Sequence, residues 1–146
     1  MRGRFFCSQL RRFGAAGWHI GLHDEDVQDY TKLAVWHRAR ALTVAVHDAT
    51  RQIPNKGAPG LRSQLLRATM SVGANIAEGA SRDSRPDFTR FVGIAIGSVC
   101  EVEHHLTVYV DLGLLDESAV QRWLPQVAEL RRMLLGLRRA LTMRMH

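Results

Sequence analysis

Apolar and polar residues alternate with a helical period from Thr31 almost to the end of the chain. Leu33, Trp36, Ala39, Leu42, Val46, Ala49 and Ile53 recur at threes and fours, which places them on one stripe of a helix. "PNKGAPG" then breaks the pattern with Pro54, Gly57, Pro59 and Gly60. A second stripe runs through Leu61, Leu65, Ala68, Val72 and Ile76 and stops near Gly79, a residue suited to the left-handed turn beyond a helix end. Ser84 to Asp87 reads S-x-x-D, a capping-box-like start that tolerates Pro86 in its first turn. The third stripe is Phe88, Phe91, Ala95, Ser98, Val102, Leu106 and Tyr109.

After the turn "DLGLLDES", with Asp116 as the expected N-cap, comes the strictest seam: Val120, Trp123, Val127, Leu130, Leu134, Leu137 and Leu141. Pro125 should kink or stagger its early part. No segment alternates with the two-residue period of a strand. Short connections favour antiparallel neighbours, so the pattern predicts an all-α, up-down-up-down antiparallel four-helix bundle over residues 30–143. The tryptophans Trp36 and Trp123 lie on the apolar stripes, where core packing explains them better than base stacking does.

Residues 1–29 stand apart as an N-terminal extension, readable as a basic disordered arm or a transit peptide. "MRGRFFCSQLRRFGAAGWHIGLH" has no acidic residue, and the Arg11–Arg12 pair is not followed by the apolar region of a secretory signal. The longest uncharged apolar run, "FVGIAIGSVC", is about half of a ~20-residue membrane crossing. Its Gly93 and Gly97 therefore read as close packing between soluble helices. Cys7 and Cys100 form no metal-binding or redox spacing; Cys100, inside that run, is expected to be a buried small hydrophobe in a reducing cytoplasm.

At 46% hydrophobic and 23% charged, the composition is that of an ordinary folded protein, but a net charge of +6 favours polyanionic partners. The best functional signal is on the last helix, where Arg131, Arg132, Arg138 and Arg139 repeat at seven and read as one ridge beside the leucine seam, with Arg67 and Arg90 as weaker candidates. Such a ridge suits phosphate backbone rather than base edges.

A second cluster, Asn75, Glu78, Arg82, Ser98 and Glu101, spans the hairpin between the second and third stripes. Its members read as polar carpentry that fixes helix ends and hairpin geometry, because no nucleophile–base pair and no phosphate-binding loop accompanies them. A di-iron bundle needs Glu-x-x-His on each of two helices; Glu101 to His104 supplies one, and there is no second. The expectation is a protein that is not an enzyme and carries no cofactor or metal.

"LAVWHRA" at 33–39, "QLLRATMSVGANIAEG" at 64–79, "RFVGIAIGS" at 90–98 and the following Glu101 resemble the four-helix bundle or 23S rRNA-intervening-sequence protein family of bacteria. The most specific element is Ser71 to Gly79. The resemblance spans about residues 27–141, and it implies the same bundle. Some members of that family are encoded within insertions of ribosomal RNA genes and have no settled role. A related branch, the accessory variability proteins of diversity-generating retroelements, forms basic homopentamers that bind nucleic acid and a reverse transcriptase.

For this chain the resemblance implies a homo-oligomer, on that branch a pentamer, whose partner is RNA or an RNA–DNA hybrid. The alternative it implies is a scaffold that docks a reverse transcriptase. His47 stands where relatives commonly have tyrosine, and Gly73 where they have proline or a larger residue; either change alters a partner surface rather than the fold. Relatives begin just before the equivalent of "VQDYTKL", which implies a start at Val27 and residues 1–26 as an overshoot of the reading frame.

Overall fold

The computed structural model describes residues 29–51, 53 and 59–143. Residues 1–28 of the N-terminal extension, with Cys7, Trp18 and the proposed start at Val27, lie outside the described residues, as do Lys56 and Arg144. The chain enters through a 3-10 turn, Tyr30–Lys32, capped by the Asp29 carboxylate, which accepts the Thr31 amide at 3.1 Å. Five α-helices follow: α1 (Ala34–Thr50), α2 (Leu61–Ala80), α3 (Arg85–Asp111), the short α4 (Glu117–Gln121) and α5 (Leu124–Met143).

The four long helices form the bundle. Each packs against its neighbours in sequence, and α5 returns to lie against both α3 and α1, the last contact being the lightest. No strand occurs among the described residues. The core is one continuous cluster drawn from every helix. The last seam is buried in full, from Val120 through Leu141, and each fully buried leucine in it contributes about 1.5–3 kcal/mol of transfer free energy.

The seam is nonetheless divided between two helices. Pro125 cannot continue a helix from the residues before it, because it lacks an N–H and its ring crowds the preceding turn. It sits instead in the first turn of α5, and the chain breaks at Arg122 and Trp123. In α1 the buried face is Val35, Ala39, Leu42, Val46 and Thr50 rather than the predicted stripe at its two ends. Thr50 is tolerated there because its hydroxyl donates to the Val46 carbonyl at 2.7 Å. Ala49 is exposed, and Trp36 is only half-buried, packed edge-on against Tyr30 at 5.0 Å between ring centroids.

Three local devices set the start of α2 and its turn into α3. Gly60, at φ +86°, precedes α2 in a conformation that other residues rarely adopt. Ser84 caps α3: its hydroxyl accepts the Asp87 amide at 3.2 Å and donates to the Asp87 carboxylate at 2.8 Å. Gly79 is not a left-handed terminator but a helical residue inside α2, which ends at Ala80. A methyl group there would come within 2.6 Å of the Phe88 ring and 2.8 Å of the Phe91 Cβ. The glycine is required by close approach, since the first turn of α3 lies directly on it.

At the far end of α3, Gly113 adopts φ +65° and closes a Schellman motif. The Leu114 amide donates to Tyr109 and the Gly113 amide to Val110, both at 2.9 Å.

Two expectations about the apolar run in α3 are overturned. Gly93 and Gly97 do not bring helices together: a Cβ at either would meet nothing within 4 Å. Cys100 is an exposed free thiol, not a buried one. Both results follow from phase. The run has no charged residue to mark its outer face, and the bundle buries Val92, Ala95, Ser98 and Val99 instead. None of the helices in the described residues is long and apolar enough to cross a membrane.

Candidate nucleic-acid interface

Successive residues of a helix are about 100° apart around its axis. Arg131 and Arg138 therefore form one row of α5, and Arg132 and Arg139 a second, rather than a single ridge. The buried residues Val127, Leu130, Leu134, Leu137 and Leu141 define the inward direction. The row of Arg132 and Arg139 lies opposite, facing straight outward, with the members of each row ~10 Å apart along the axis.

The neighbouring helices then sort the charges. On one flank of α5, Glu129 accepts from Arg38 of α1 at 3.1 Å. On the other, Arg131 donates to Glu103 of α3 at 2.9 Å. Arg131 is thus half-buried and spoken for as a tie between helices. Arg132, Arg138 and Arg139 are exposed and have no ion pair among the described residues. Antiparallel register places Arg138 near the level of Ile96, which offers no carboxylate. With Glu129 engaged by Arg38, the outward surface of α5 is left with a net positive charge.

Arg67 and Arg90 are exposed but belong to another face. Arg67 lies on α2 close enough to His105 of α3 to disfavour its protonation. Arg90 lies 3.8 Å from Asp87 and stacks over the Phe91 ring at 4.4 Å from its centroid. On α3, Arg90 and Glu103 point to different sides, so neither Arg67 nor Arg90 extends the outward row of α5.

The hairpin cluster divides into three. Ser98, buried, meets Ser71 hydroxyl to hydroxyl at 2.9 Å, and Asn75 donates to the Ser71 hydroxyl at 3.0 Å and the Ser71 carbonyl at 2.8 Å. Ser71 is the centre of this group, a role that its place in the S-x-x-A-N motif signalled and that only the register between α2 and α3 makes plain. Glu78 pairs separately with Arg82, one turn on, and Arg82 also lies over Phe91 at 5.2 Å. Glu101 joins neither group; it is exposed, and its charge acts on His105 one turn on. Burial pushes the His105 imidazole below its usual pKa, His104 and Arg67 push the same way, and Glu101 opposes them. No group of three or more His, Cys, Asp or Glu side chains among the described residues is arranged to hold a metal ion.

The polar groups of the hairpin bond chiefly to one another and to their own backbone, which is the behaviour of structural polar residues. On α5, Arg131 is tied to Glu103, and Arg132, Arg138 and Arg139 are left without an ion pair among the described residues.

No curated protein matches the chain significantly. Among solved structures, it is similar to a protein of unknown function from the S23 ribosomal protein family of Bacteroides thetaiotaomicron, with 21% identity over 72% of this chain and 95% of that one, at a TM-score of 0.66. That likeness bears on the fold. The family model for the 23S rRNA-intervening sequence protein matches residues 31–136, which spans α1 to most of α5. The chain belongs to the 23S rRNA-intervening sequence protein family.

Proposed function

We propose that this protein is a non-enzymatic, self-associating helical bundle that binds RNA, or an RNA–DNA hybrid, through the phosphate backbone. The observation that carries the reading is the solvent-exposed side of α5, where Arg132 and Arg139 face outward and Arg138 lies on the flank, all three exposed without a carboxylate partner among the described residues. Guanidinium groups held on a rigid helix, ~10 Å apart within a row, match a repeating anion better than a single small ligand. The net charge of +6 adds a long-range attraction of the same sign. Backbone contacts of this kind position a strand and carry little sequence information, so the binding is expected to be broad among sequences. The protein acts in the cytoplasm on this reading, where such polyanions are met.

Fluorescence anisotropy with a labelled single-stranded RNA oligonucleotide and nuclease-treated protein tests it. Wild-type protein is expected to bind at low salt, and the triple variant Arg132→Gln, Arg138→Gln, Arg139→Gln to bind at least tenfold more weakly. Equal binding by the two contradicts the assignment of the surface. An absence of binding by wild type contradicts the function and directs attention to a polypeptide partner.

A further inference from the structure

The outer edge of the α1–α2 seam carries an apolar strip. A Cβ at Gly73 would lie 3.8 Å from the Trp36 indole and 3.9 Å from the Ala39 methyl, which fixes the flank of α2 that faces α1. At about 100° per residue, Arg62, Leu66, Met70 and Ala77 share that flank. Ser71 meets Ser98 of α3 on the opposite one. Antiparallel register from the Gly73 contact sets Val44 of α1 between the levels of Leu66 and Met70, and Arg51 close to the level of Arg62. Val44 is 52% and Met70 62% exposed, and Leu66 is only partly buried. Beside Leu66 the strip ends in a cavity of about 190 Å³ lined by Gly60, Arg62, Ser63 and Leu66.

We propose that this strip is a docking groove for an acidic amphipathic helix of a partner protein, whose apolar stripe covers Val44, Leu66 and Met70 and whose carboxylates meet Arg51 and Arg62. The Arg62 Nε is buried without a hydrogen-bond partner, and neither arginine has an ion pair among the described residues. A buried guanidinium N–H with no acceptor costs free energy, and a carboxylate that accepts from it forms a charge-assisted bond. Arg40, stacked over the Trp36 ring at 5.7 Å from its centroid, adds positive charge at the other end of the strip. The carboxylate that borders the strip, Asp48, lies 3.3 Å from His47. An apolar centre with a basic rim is complementary to leucines flanked by glutamates or aspartates.

Other occupants match only part of this surface. A phosphate backbone pairs with the arginines but gains nothing from covering Val44 and Met70. A second copy presenting the same face sets arginine against arginine, which opposes association. A helix satisfies both parts, because a groove between two helices accepts a third by the packing that builds the bundle. The levels of Met70 and Arg62 are ~12 Å apart along the axis, so about two turns of the partner span them. The groove does not use the outward row of Arg132 and Arg139. The inference therefore goes beyond the nucleic-acid reading and stands without it.

Fluorescence anisotropy of the full chain with a labelled peptide of about 18 residues, its leucines spaced at threes and fours between glutamates, tests it. A control peptide carries lysine at every glutamate position. Wild type is expected to bind the acidic peptide and not the control. Arg62→Gln and Met70→Glu should each weaken binding at least tenfold, with circular dichroism melts to verify that both are folded. The triple variant Arg132→Gln, Arg138→Gln, Arg139→Gln should bind the peptide as wild type does, which separates this groove from the α5 surface. A wild type that does not bind the acidic peptide overturns the proposal, and so does undiminished binding by Arg62→Gln and Met70→Glu. A loss in the α5 triple variant as large as that in Arg62→Gln would show non-specific attraction between charges and would also overturn it. So would a sedimentation profile of Met70→Glu, without peptide, that differs from wild type, since the strip would then belong to a contact between copies.

Discussion

Arg131 reaches across to Glu103 at 2.9 Å, while Arg132, its neighbour in sequence, points into solvent with no carboxylate in reach among the described residues. Two adjacent arginines of one helix thus do different things. The first ties α5 to α3; the second is available to a ligand. Arg131→Gln is expected to lower stability by about 0.2–1 kcal/mol, the range for partly exposed ion pairs, with little effect on RNA affinity. Arg132→Gln should do the reverse. Urea denaturation and anisotropy titrations on the same two variants check the split; an equal loss of affinity in both would show that the Glu103 tie does not hold Arg131 back.

Glycines in this chain divide as sharply. Gly79→Ala drives a methyl group into Phe88 and Phe91, at 2.6 and 2.8 Å, and should cost about 1–3 kcal/mol through overpacking. Gly93→Ala fills open space and should stabilise by roughly 0.5–1 kcal/mol by removing a helix-interior glycine. Chemical denaturation midpoints for the two variants are expected to move in opposite directions.

Ser84 closes the hairpin by capping α3 through the Asp87 amide. Ser84→Ala is expected to cost ~1 kcal/mol, and Ser84→Asp to keep most of the cap. The contrast separates capping from any general sensitivity of the hairpin, and thermal melts resolve it.

His105 gives the fold a pH dependence of known sign. Its imidazole is harder to protonate in the folded state than the ordinary 6.5, because it is partly buried beside His104 and Arg67, with Glu101 only partly offsetting them. The unfolded chain therefore takes up the proton first. Stability is fully present above the unfolded pKa and falls as pH drops through it toward the lower folded-state value. His105→Gln should flatten that decline in urea melts taken at successive pH values; an unchanged slope would move the effect to another group.

The bundle was legible because burial follows a period. α5 shows it most clearly: its flanks are charged, so the phase of Val120 to Leu141 is unambiguous, and every seam residue is buried. In α3 the stripe through Phe88, Ala95, Ser98 and Val102 is buried as its period predicts, and Cys100 lies off that stripe, so the apolar character of the run around it was no guide to its burial. In α1 the stripe was read through Ala49, whereas Thr50 is the buried residue, since a hydroxyl satisfied by its own helix backbone is no obstacle to burial.

The candidate interface was legible by composition but not by geometry. Sequence spacing placed four arginines on one helix; the lateral pairs Arg38–Glu129 and Arg131–Glu103 depend on helix register, which no one-helix pattern contains. The same limit applies to the hairpin cluster, where Ser71 rather than Glu101 completes the bonds of Asn75 and Ser98.

The most direct test of the central claim is the salt dependence of single-stranded RNA binding. Each phosphate neutralised contributes ~0.7 to the slope of log affinity against log salt. Wild type and Arg131→Gln should share a steep slope, while the triple variant Arg132→Gln, Arg138→Gln, Arg139→Gln should be shallower by about 2, one phosphate for each outward arginine lost. Identical slopes for wild type and the triple variant would contradict the account and remove α5 as the surface that meets nucleic acid.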